Sequence, residues 1–104
     1  MKVLGLNLAR LTPDLRSKYG IVDAVNGVLI TGVNATAGVL ITKQDGTAAT
    51  LSAGDVITDV WSYSSGRVPV SIPAHVQRLK GKEQLIFRVS NADGEWRIVV
   101  LIEQ

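Results

Sequence analysis

The sequence predicts an α+β fold that is mostly β: a small sandwich or partly open barrel of five to seven short strands with two or three short helices. Three observations lead there. Runs of alternating or β-branched residues recur along the chain with turn residues between them. Two segments carry start and stop signals of short helices. The 104 residues, 46% hydrophobic and 19% charged, contain no linker-like or low-complexity tract, so residues 1–104 read as a single compact domain.

Strand patterns recur along the whole chain. "VLGLNLAR" alternates apolar with small or polar residues, and "GVLITGV" is a β-branched run. "DVITDVW" follows the turn pair Gly54-Asp55, whose carboxylate is expected to bond turn amides. "QLIFRVSNADGEWRIVVLI" reads as two strands around a turn at Asn91 to Gly94.

The first helix is "LTPDLRSKYG". Thr12 serves as the cap, Pro13 suits the first helical position and Asp14 suits the positive end. Arg16 and Lys18 suit the negative end, and Gly20 supplies the left-handed stop. In "SIPAHVQRLKG", Ser71 is the expected cap, Pro73 lies in the first turn and Gly81 is the stop. Ile72, Val76 and Leu79 then form one apolar stripe.

The pentapeptide GVLIT occurs twice, at Gly27 to Thr31 and at Gly38 to Thr42. Solenoids need about three copies at periods of 20 or more residues, so a repeat architecture is excluded. Asn34 and Gly38 near the bend favour an antiparallel hairpin in which the second copy folds back on the first; the alternative is one strand and one loop.

Composition and charge exclude several functions. There is no Cys, hence no disulfide framework, thiolate metal site or cysteine nucleophile. No apolar run approaches the roughly 20 residues of a spanning helix, so no membrane insertion is expected. A net charge of +2 and a basic run (Arg78, Lys80, Lys82) interrupted by Glu83 and lacking interleaved aromatics argue against nucleic acid as a partner.

His75 is the sole histidine, on a helix, with no nucleophile turn of the Gly-x-Ser-x-Gly kind, so no catalytic residue is assigned. The carboxylates lack metal-loop spacing, and no phosphate-cradling glycine loop occurs, so neither metal nor cofactor is expected. What remains is a binding architecture. Around Gly5 a tight loop runs straight into a strand, a combination that suits a carboxylate on backbone amides and an extended peptide on the strand edge.

The ordered set "LGLNLARLTPDLRSKYGI", "GVLITGV" and "LSAGDVITDV", followed by an amphipathic helix and a closing strand pair, resembles the PDZ domains of bacterial periplasmic HtrA/DegP-type serine proteases, most of all the second PDZ domain. The resemblance covers nearly the whole chain and implies the circularly permuted bacterial PDZ arrangement. It implies a carboxylate loop at Val3, Leu4, Gly5 and Leu6, with the strand Leu6 to Arg10, including Asn7 and Leu8, offering its edge. Across the groove it implies a helix whose His75, Val76 and Leu79 shape the pocket.

The implied partners are C-termini and unfolded segments of proteins, or neighbouring protease and PDZ domains. The implied parent is a longer periplasmic serine endopeptidase, with this chain a non-catalytic fragment of it. Other PDZ-bearing parents are a secretion component, a site-2 membrane protease or a carboxyl-terminal processing protease.

The chain departs from the pattern between Asn34 and Ala53, where an insertion holds the second GVLIT and leaves only "TAATLSA" for the short helix expected before Gly54. The connection "WSYSSGRVPVS" is also long. Because only three residues precede Leu4, the loop amides are expected to be poorly ordered.

Overall fold

The computed structural model describes residues 2–3, 5–33, 39–43, 47, 51–62, 66–79, 85–90 and 96–103; for 2–3, 39–43, 77–79 and 96–103 the description is of the backbone. Eight strands and two helices follow in the order β1 (Lys2–Val3), β2 (Leu6–Arg10), α1 (Pro13–Tyr19), β3 (Val28–Val33), β4 (Val39–Lys43), β5 (Val56–Ser62), β6 (Gly66–Pro69), α2 (Pro73–Leu79), β7 (Leu85–Ser90) and β8 (Trp96–Glu103). The mostly β, α+β class is as the sequence predicts. The strand number exceeds five to seven because β1 has only two residues and because the long connection after Trp61 contains β6.

All recorded strand pairs are antiparallel, in the order β1-β2-β3-β5-β7-β8-β4, with β6 attached to β5. β5 holds this sheet together. Along one edge it pairs with β7; along the other, Val56 and Ile57 pair with β3, while Asp59 to Ser62 pair with β6.

Period-2 alternation divides the core between two faces. Val28 and Ile30 join Leu6, Leu8, Ile57, Val60, Val76 and Phe87 on one face, while Leu29 and Val56 meet Ile21 and Val25 on the other, beneath Leu11, Leu15 and Tyr19. Ile57 and Val60 are three residues apart, an odd spacing that would send them to opposite faces of a regular strand. A register shift between Ile57 and Asp59 inserts Thr58 as an extra residue and restores both to the same face. The bulged Thr58 is satisfied: its hydroxyl donates to Asp59 Oδ2 at 3.0 Å, and its carbonyl accepts from the Val70 amide at 3.2 Å.

Helix α1 forms as its punctuation predicts. Thr12 Oγ1 accepts from the Leu15 amide at 3.3 Å, and Gly20 sits left-handed at φ 66° with its amide on the Arg16 carbonyl. At α2 the predicted cap is corrected. The helix begins at Pro73, which puts Ile72 in the capping position, and the Ser71 amide instead donates to His75 Nδ1 at 3.2 Å. The expected stop Gly81 lies outside the described residues. At the turn before β5, Asp55 Oδ2 accepts from the Ser52 amide at 2.9 Å, as the Gly-Asp pair predicts.

The hairpin between the two GVLIT copies is also corrected. The first copy supplies β3, an interior strand between β2 and β5. The second supplies β4, which pairs not with β3 but with β8, from Val39 opposite Glu103 to Lys43 opposite Val99. The physical reason is that β2 runs along one whole edge of β3 while Val28 and Leu29 pair with β5 on the other, whereas β8 offers the full edge that β7 leaves open. Of the short helix expected over "TAATLSA", residue 47 and residues 51–53 are not helical, and 48–50 lie outside the described residues.

Candidate peptide groove

β2 and α2, the elements expected to line a groove, stand near each other at the β1 end of the sheet. β2 is held from behind by β3 along its whole length, with a register shift between Asn7 and Leu8. There the Thr31 hydroxyl donates to the Asn7 carbonyl at 3.2 Å. The Asn7 side chain crosses Gly32, where a Cβ would stand 3.1 Å from its amide nitrogen. α2 lies beside both β1 and β2.

Alternation decides what β2 offers. Leu6 and Leu8 point into the core and are fully buried, as is Val76 from α2; the three belong to one cluster with Phe87 and Ile57. Asn7 and Ala9 face the other way and are half-buried. Leu6, Leu8 and Val76 are thus brought together, but in the core, where no side-chain surface is left to contact a ligand.

His75 is half-buried on α2. Because its Nδ1 accepts a backbone hydrogen bond, the neutral ring carries its proton on Nε2, the nitrogen left for an outside partner. Leu79 ends α2, and its side chain is outside the described set.

The front edge of β2 is not bare. β1 pairs antiparallel with it, Val3 opposite Leu6 and Lys2 opposite Asn7. Leu4 and Gly5 form the two-residue connection; Leu4 is outside the described residues, while Gly5 is buried with φ 79°. Gly meets that dihedral without the steric cost a Cβ would add. Val3 therefore belongs to a strand, and the expected carboxylate loop is the bend of a hairpin.

Sequence reasoning did not single out Lys2, Thr31 or Gly32. The one local signal was Gly5, whose tolerance of positive φ suits a tight turn.

Among the described residues no three His, Asp or Glu side chains cluster as metal ligands would, and no helix is long and apolar enough to cross a membrane. No family model, no curated protein and no solved structure matches this chain.

Proposed function

We propose that the chain is a PDZ-type peptide-binding module of a bacterial HtrA/DegP-type periplasmic serine endopeptidase, taking hydrophobic C-terminal or unfolded segments by strand addition to β2. The observation that carries this reading is the β1–β2 pairing beside α2: this strip of β2 edge accepts an antiparallel strand, and a helix flanks the added strand. Main-chain hydrogen bonds supply the affinity and apolar contacts beside α2 supply the preference. Catalysis would belong to another domain of the parent.

The test is a titration with labelled peptides ending in Val or Leu, as free acids and as amides. Micromolar binding of the acids, on the order typical of short peptides, with at least about tenfold weaker binding of the amides, is expected. Equal binding of both forms removes the carboxylate from the reading. A trypsin-like His, Asp and Gly-Asn-Ser-Gly-Gly set in the full-length protein tests the parent.

A second reading draws on the same pairing. Because β1 already covers Leu6 and Asn7, the domain would serve as an assembly module contacting neighbouring protease or PDZ domains, and no peptide acid would bind.

A further inference from the structure

The geometry points to β1 as a built-in competitor: the chain's own Lys2-Val3 segment holds the β2 edge that an incoming strand needs, so capture is coupled to its release. This rests on the peptide-binding reading and adds a regulatory element to it.

The argument starts from direction. β1 runs antiparallel to β2 and approaches the Leu4-Gly5 bend with Val3 nearest to it. A peptide added antiparallel along the same edge would end at that bend, its last residue opposite Leu6 and the one before opposite Asn7. Val3 and Lys2 hold those two register positions, and α2 flanks them as it would flank a ligand. The one difference is that Val3 continues into Leu4, where a ligand would end in a carboxylate.

Occupancy of this kind has a calculable effect. A site that is competent only a fraction of the time binds with its intrinsic affinity multiplied by that fraction. Two ladder pairs form a short strand, held by few hydrogen bonds and aided by the high effective concentration that a two-residue link provides. The segment is held strongly enough to compete and weakly enough to leave.

The absence of native Cys allows a direct test. Lys2 and Asn7 are opposite partners in an antiparallel ladder, where Cα atoms lie about 4.5 to 5.5 Å apart, within disulfide range. The double variant K2C/N7C can be locked by oxidation and freed by reduction in one sample. The probe is a labelled decapeptide ending in Lys-Val with a free carboxylate, the sequence β1 itself carries.

The reduced form is expected to bind the probe and the oxidised form to bind it at least about tenfold more weakly. A second variant lacking Lys2 and Val3, checked for folding by its urea transition, is expected to bind about tenfold more tightly than the full chain. Equal binding by oxidised, reduced and shortened forms overturns the competitor while leaving peptide binding intact. Binding by none of them overturns both readings.

Discussion

Gly27 lies so close to the backbone of Ile57 that a Cβ on it would collide with the Ile57 carbonyl oxygen and crowd the Val56 side chain. The contact is where β3 enters its pairing with β5, one residue before Val28 meets Ile57. The obstacle is main chain in a strand paired on both edges, so it cannot rotate aside. Gly27→Ala is expected to cost about 2 to 3 kcal/mol, read from the urea midpoint. Gly20→Ala, left-handed but with open space around it, should cost nearer 1 kcal/mol. Equal losses at the two glycines would contradict the close approach.

Asp59 and its two arginines give an ordered pair of outcomes. The carboxylate is buried, accepts from the Thr58 hydroxyl, and meets Arg67 Nε at 3.3 Å and Arg88 Nη1 at 3.9 Å. Asp59→Ala takes the nearer acceptor from the buried Thr58 hydroxyl, leaving it the longer 3.4 Å contact to the Arg88 carbonyl, and removes a buried carboxylate from beside two partly exposed arginines; it is expected to cost about 1 to 3 kcal/mol. Arg67→Ala removes a largely exposed partner and should cost less than about 1 kcal/mol, falling further in high salt. Denaturant curves at two salt concentrations check both.

Val76 and His75 are neighbours with different work. Val76 is fully buried, so Val76→Ala should destabilise by about 2 kcal/mol through the void it leaves. His75→Ala gives up one hydrogen bond from the Ser71 amide and should cost about 1 kcal/mol or less. On the peptide-binding reading, His75→Ala weakens the titration of peptide acids severalfold at nearly unchanged stability. An unchanged titration takes His75 out of the groove.

The pairing of β4 is open to a direct magnetic-resonance check. Nuclear Overhauser contacts are expected between the backbones of Ile41 and Leu101 and of Lys43 and Val99. Contacts between residues 39–43 and 28–33 instead would restore the hairpin of the two GVLIT copies.

What was legible in the sequence was local. α1 could be read because Thr12, Pro13 and Gly20 each act within a turn or so of where they stand, and the β7–β8 hairpin because its turn residues lie between its strands. β4 could be read as a strand but not placed. β3 and β8 offer the same β-branched chemistry, and the choice between them depends on which edges remain open once the sheet is assembled. The Thr58 bulge, the Asp59 cluster and the approach of Gly27 to Ile57 have the same origin, for each involves a partner distant in the chain. At the groove, the residue types of β2 and α2 were legible; that Lys2 and Val3 would lie on the strand edge was not, because a two-residue strand carries almost no pattern.

The strand order also bears on synthesis. β4 leaves the ribosome long before β8, the only partner it has among the described strands. Until residues 96–103 emerge, the nascent chain carries an unpaired Val-Leu-Ile-Thr segment with a single Lys to discourage association with other chains. Polysomes stalled before Trp96 should therefore recruit holding chaperones, and release of the last strand should discharge them.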